Sequence, residues 1–211
     1  MYKRQSKGFK LDRSFYTLDG RKIDLKSATG GTAEVKQNDR MVVVVSMTGQ
    51  DKGGRVLLVD RLPAGLEIEN PRLVDGGDTK GLAWLKALTA NTPRPQHTEF
   101  RDDRFVAAFN YLPKSLQNRG ADNDGNGDGE DSETAADGDG EGASGGEGES
   151  ATVAGPAPAL PKPADGNPAA TVAYIVRAVT PGTYVHPAAT VEDMYRPERH
   201  ARTSSGQLTV K

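Results

Sequence analysis

The stretch Arg40-Met-Val-Val-Val-Val-Ser-Met47 constrains the fold more than any other part of the chain. Four consecutive valines resist helix and favour a pleated strand, and an apolar run without polar alternation marks a strand covered on both faces. No apolar run in the chain is longer than Met41–Val45, far short of a membrane span. Around it, short strand-like segments alternate with turn residues. Phe15–Leu18 leads through Asp19-Gly20, a tight-turn dipeptide, into Lys22–Leu25, and Gly30-Gly31 precedes Ala33–Lys36. Arg55–Asp60, Arg104–Tyr111, Thr171–Val179 and Gln207–Val210 complete seven or eight expected strands. Turns at these intervals, with no long amphipathic helix, point to an all-β sandwich of immunoglobulin type. Gly81–Leu88 reads equally as a short helix or a strand flank. Trp84, Phe105, Phe109, Tyr174 and Ile175 are the expected aromatic and aliphatic core.

One segment differs in kind. Residues 119–170 carry twelve Asp or Glu against Arg119 and Lys162, a balance of −10, so the remaining 159 residues sum to +8 behind the overall −2. The first part of this segment is Gly, Asp, Glu and Ser. It cannot bury enough apolar surface to offset backbone ordering of about 1–2 kcal/mol per residue. Pro156–Pro163 then favours an extended spacer. The expected organisation is a tail over 1–7, one domain from 8–118 and 170–211, and a disordered insert over 119–169. The insert is read as a hairpin loop joining two adjacent strands, since loop closure costs grow only logarithmically with length.

Candidate sites are few. There is no cysteine, which removes disulfides, thiolate metal sites and thiol nucleophiles. Asp122–Glu133 matches a twelve-residue calcium loop, with Asp122, Asp124, Asn126 and Glu133 as oxygen ligands and Gly127 at the bend. Position eight, however, is Gly129 where an aliphatic residue joins such loops, and no amphipathic helices flank it; diffuse cation attraction, not a structured metal site, is expected. Arg101-Asp-Asp-Arg104 alternates faces if extended, which separates the two acids and leaves ion pairing, turn capping or contact with a neighbouring domain. His97, His186 and His200 are scattered along the chain. Ser204-Ser-Gly206 lacks a nucleophile elbow, no phosphate loop is present, and the basic residues are not interleaved with aromatics as in a nucleic-acid platform. Pro181-Gly182 is a turn, Pro presetting φ and Gly accepting the positive φ that follows. His186 and Arg196, each before a proline, should be extended. Of Met194 and Tyr195, one is expected in the core and the other at a contact. No catalytic residue and no cofactor are expected.

Three stretches form a set: Asp60-Arg-Leu-Pro-Ala-Gly-Leu-Glu-Ile-Glu-Asn-Pro71, Phe100–Phe109, and Val176–Tyr184 running on through Val191–Pro197. Together they resemble the C-terminal macroglobulin-like domain of bacterial α2-macroglobulins, over roughly 8–118 and 170–211. The resemblance implies a non-catalytic part of a protease trap, packing against and shielding a thioester domain of the parent. The interdomain contacts it suggests are Arg101, Asp102, Asp103, Arg104, Met194 and Tyr195. It further implies the periplasm, a lipid anchor at the parent's N-terminus, target proteases engaged through the parent, and a cell-wall synthase as an associate. Nucleic acid and direct membrane insertion are not implied. The start Met1-Tyr-Lys-Arg has no apolar stretch of a signal peptide after it, so an export signal would lie upstream. The acidic insert departs from the family pattern. Two other readings are a surface or adhesion module sharing the Leu-Pro-Ala-Gly-Leu signal, and a calcium-responsive module acting through 122–133.

Overall fold

A computed structural model describes residues 5–25, 33–49, 53–71, 79–90, 92–111 and 170–211. Within them the chain forms fourteen strands and one α-helix. A six-stranded antiparallel sheet runs in the order β1 (Gln5–Lys7), β13 (Arg196–Arg202), β12 (Thr190–Asp193), β6 (Gly54–Arg61), β9 (Arg104–Tyr111), β8 (His97–Arg101). A five-stranded antiparallel sheet runs β3 (Lys22–Ile23), β2 (Phe9–Tyr16), β5 (Arg40–Gly49), β10 (Ala170–Ala178), β7 (Leu66–Glu69). A small third sheet orders β11 (Gly182–His186), β14 (Gly206–Val210) and β4 (Ala33–Val35), the last pair parallel.

The valine run explains the layering. β5 sends Met41, Val43, Val45 and Met47 into the main core with Val56 and Leu58 of β6, Phe105 and Phe109 of β9, and Tyr174 and Val176 of β10. Its other face carries Val42 and Val44, which join Tyr16, Ile175 and Leu85 in a second cluster. That second face is covered by α1 (Ala83–Thr89), so the open helix-or-flank alternative resolves as helix. Trp84 fixes it in place: its indole N–H donates to the Leu18 carbonyl at 2.9 Å and its ring lies 5.2 Å from Tyr16. The ring also lies against Gly20 in the β2–β3 turn. A Cβ there would sit 3.0 Å from it, and Gly20 has φ +89, so only glycine suits the position.

Phe105, Phe109, Tyr174 and Ile175 are core as expected, whereas Trp84 is only partly buried. Fourteen strands replace the expected seven or eight, because several strands have only two to five residues and leave no periodic trace. Gln5–Lys7, expected as tail, form β1 against Arg202–His200. The expected hairpin across the insert is corrected too: β9 and β10 lie in different sheets and do not pair with each other. The calcium-loop candidate and the rest of 112–169 lie outside the described residues.

Candidate functional site

Two hairpin turns carry the six expected contact residues. The first joins β8 to β9: Arg101 pairs with Arg104 in register, leaving Asp102 and Asp103 as a two-residue loop, not an alternating strand. Arg101 pairs with Glu99, Arg104 lies 3.6 Å from Asp103, and the Asp103 carbonyl accepts the Leu62 N–H at 2.9 Å.

The second turn joins β12 to β13 and is built on a carboxylate. Asp193 has a side chain with no exposed surface. Its Oδ1 accepts the N–H groups of Tyr195 and Arg196 at 3.1 and 3.2 Å, and its Oδ2 accepts from Arg196 Nε and Arg199 at 3.0 Å each. Burial pushes the Asp193 carboxyl up, but the Tyr195 N–H and the Arg196 guanidinium outweigh it and hold the group below the usual carboxylate range. Arg196 also reaches the Gly53 carbonyl, and Met194 N–H donates to Arg55 at 2.8 Å. A Cβ at Gly54 would fall 2.5 Å from Asp193 Oδ2, which is why the neighbouring strand starts with glycine. On this fixed turn Met194 is 54% exposed and Tyr195 72% exposed. Neither is core, which corrects the expectation for one of them: the Asp193 bonds close the turn outward, so both side chains leave the sandwich.

These turns do not form one patch. β6 pairs with Arg104 at Arg61, and Met194 bonds Arg55 at the other end of the same strand. Six residue steps at about 3.4 Å separate them by about 20 Å.

Sequence reasoning missed what ties the signature stretches together. Asp60, first residue of Asp60–Pro71, is fully buried and bridges the layers. Its Oδ1 accepts from Arg13 of β2 at 2.5 Å and its Oδ2 from the Tyr174 hydroxyl of β10 at 2.7 Å. Arg13 also donates to the Pro187 carbonyl, just after β11, at 2.8 Å. One carboxylate thus links both main sheets to the end of the third. Burial, and then the Asp60 charge, raise the Tyr174 hydroxyl well above its ordinary pKa. His186, edge-on to Phe15 at 5.3 Å, is lowered to about 3 by burial and then by the Arg13 charge. Further along, Gly65 admits Tyr184: a Cβ at Gly65 would lie 2.3 Å from the Tyr184 ring, whose hydroxyl donates to Thr180 and Pro181 carbonyls at 3.1 and 3.0 Å. Leu-Pro-Ala-Gly-Leu and Thr-Pro-Gly-Thr-Tyr are therefore two halves of one packing unit. Gly182 has φ +149, the positive value expected after Pro181.

A cavity of about 520 Å³ lies between α1, residues 92–95, Phe100, Phe105 and Val172. Its described lining holds no carboxylate or histidine; the charged groups there are Lys80, Lys86 and Arg94. Among the described residues, no group of three or more His, Asp or Glu converges as a metal site requires.

Residues 8–118 and 167–198 match the family model described as the bacterial alpha-2-macroglobulin MG10 domain. The chain is 32% identical over 191 residues to an alpha-2-macroglobulin of Xylella fastidiosa (strain 9a5c), covering 88% of this chain and 8% of that protein. To the Escherichia coli (strain K12) alpha-2-macroglobulin it is 26% identical over 204 residues, 95% of this chain and 9% of that one. Among solved structures, E. coli alpha-2-macroglobulin activated by porcine elastase superposes with a TM-score of 0.65 at 24% identity, over 100% of this chain and 14% of that chain. Native E. coli alpha-2-macroglobulin from domain MG7 to the C-terminus gives 0.58 at 24% identity, over 99% of this chain and 24% of that chain. The chain spans less than a tenth of the length of these curated relatives, and its solved neighbours are segments of larger chains.

Proposed function

Because the chain belongs to the bacterial alpha-2-macroglobulin MG10 domain family, we propose that it is a non-catalytic domain of a protease trap that packs against the parent's thioester region and keeps water and small nucleophiles away from it. The observation that carries this reading is the β12–β13 turn. A wholly buried carboxylate with four donors holds a two-residue loop in one shape, and that loop displays a methionine and a tyrosine to the outside. An isolated domain gains nothing by fixing two large exposed apolar side chains so firmly; a surface that must cover a partner does. Target proteases are met through the parent, whose setting in this reading is the periplasm, with a lipid anchor and a cell-wall synthase as associate.

The test uses the full-length parent carrying Met194→Ser and Tyr195→Ser together. Both side chains are exposed here, so the domain should fold unchanged. The expected result is faster inactivation of the trap by methylamine, with unchanged thermal unfolding. Equal inactivation of variant and wild type would remove this turn from the shielding role.

A further inference from the structure

The outer face of the six-stranded sheet is apolar at its centre although α1, the chain's described helix, lies on the other sheet. Strands of an antiparallel sheet with one wet face alternate apolar and polar residues, whereas strands covered on both faces read as continuous apolar runs. β6 reads Val56-Leu-Leu-Val59 and β9 reads Phe105-Val-Ala-Ala-Phe109, continuous in both cases. Val56, Leu58, Phe105, Ala107 and Phe109 fill the core. Leu57, Val59, Val106 and Ala108 point the opposite way, are partly exposed, and belong to neither buried cluster. Register sets them side by side: Leu57 opposite Ala108, Val59 opposite Val106. The equivalent outer face of the five-stranded sheet, Val42, Val44 and Ile175, has α1 over it.

The same register places like charges along one border. Arg61 lies directly opposite Arg104, and Arg104 opposite Arg101. Directly opposed like charges on one sheet face are destabilising. Arg101 has Glu99 and Arg104 has Asp103, but among the described residues Arg61 has no carboxylate partner. An arrangement that costs stability in the free domain fits an acidic surface brought alongside.

From this we infer that the outer face of β6 and β9 is a second interdomain contact, separate from the Met194–Tyr195 turn. It docks another domain of the same parent chain through an apolar patch bordered by Asp or Glu side chains that meet the Arg61–Arg104–Arg101 row. The occupant is sought within the parent because over nine-tenths of the length of the curated relatives lies outside the matched region, and an apolar centre with a charged rim is the anatomy of such interfaces. The inference rests on the reading of this chain as one domain of a longer trap.

The experiment is hydroxyl-radical footprinting of the full-length parent and of the 211-residue chain, read at Leu57, Val59 and Val106, with Tyr195 followed in the same digests. Labelling of the three aliphatic residues should be about fivefold slower in the parent, as for side chains taken into an interface centre. The exposed double variant Arg61→Glu/Arg104→Glu should restore labelling in the parent while leaving the 211-residue chain's labelling as it was. Equal labelling in parent and 211-residue chain overturns the inference. So does slow labelling already in the 211-residue chain, which would assign the cover to its own acidic insert or, if it depends on concentration, to a second copy. If Tyr195 is protected in the parent while Leu57 and Val106 are not, this inference fails and the shielding role of the turn stands.

Discussion

His186 should make the domain lose stability on mild acidification, well before its carboxylates titrate. Its ring is buried beside the Arg13 guanidinium, whose carboxylate partner among the described residues, Asp60, is already shared with Tyr174. The folded pKa is therefore about 3, against about 6.5 for a histidine in an unfolded chain. Between these values the unfolded state binds a proton that the folded state refuses, so stability is complete above about pH 7 and falls as pH drops toward 3. At pH 5 the difference is about 1.5 decades of proton binding, or about 2 kcal/mol, a large share of a typical domain's stability. Asp193 and Glu69 are both held below their usual range, and Glu69, where burial is outweighed by Arg40 and Arg177, behaves like Asp193. Their contributions are present above about pH 4 and lost below it, so they stay constant between about pH 8 and 5. Urea unfolding followed by the fluorescence of Trp84, the sole tryptophan, at half-unit steps from pH 8 to 5 measures the slope. His186→Gln should flatten it whatever it does to stability at pH 8. A wild-type stability that is level over that range, or a variant as steep as wild type, refutes the reasoning.

Three further outcomes follow from the packing. Asp60→Asn leaves the Arg13 charge buried and uncompensated and should cost about 3–5 kcal/mol by urea unfolding, while replacing Arg13 and Asp60 together by apolar residues should cost less than the two single changes summed. Gly65→Ala drives a methyl into a Tyr184 ring held by two hydrogen bonds and should destabilise by about 1–3 kcal/mol in thermal unfolding, with partial recovery when Tyr184 is also cut to alanine. Deleting residues 120–168 leaves nine residues, able to reach about 30 Å, to cross between sheets about 10 Å apart; cooperative unfolding should survive, and its loss would make the insert part of the core.

How much of this was readable beforehand depended on whether local chemistry decided the outcome. Met41–Val45 was readable because continuous β-branched residues can only be a doubly covered strand. Asp19-Gly20 and Pro181-Gly182 were readable because φ preferences belong to the residues themselves, and the structure has positive φ at both glycines. Asp60 was not, because an acid beside an arginine reads as surface until its donors arrive from distant strands: Arg13 is 47 residues away and Tyr174 is 114. Asp193 takes its donors from nearby Tyr195, Arg196 and Arg199, but nothing in the local pattern reports that its carboxylate is buried. Met194 and Tyr195 were half readable: exposure was expected for one of the two, but the outward closure of the turn that exposes both depends on Asp193 accepting two backbone N–H groups. The sheet change between β9 and β10 was hidden because adjacency in sequence favours a hairpin, and nothing local reports which layer a strand joins. The arginine row needs register across three strands, which a linear pattern does not contain.

The central claim, that this domain acts by covering part of its parent, can be measured at a single atom. The Met194 sulfur belongs to a side chain 54% exposed in the domain, and thioether oxidation by dilute peroxide follows access. Quantified by mass spectrometry, Met194 should oxidise readily in the 211-residue chain, slowly in the intact full-length parent, and readily again once a protease has cut the parent and opened it. The same oxidation rate in the domain and in the intact parent would contradict the account.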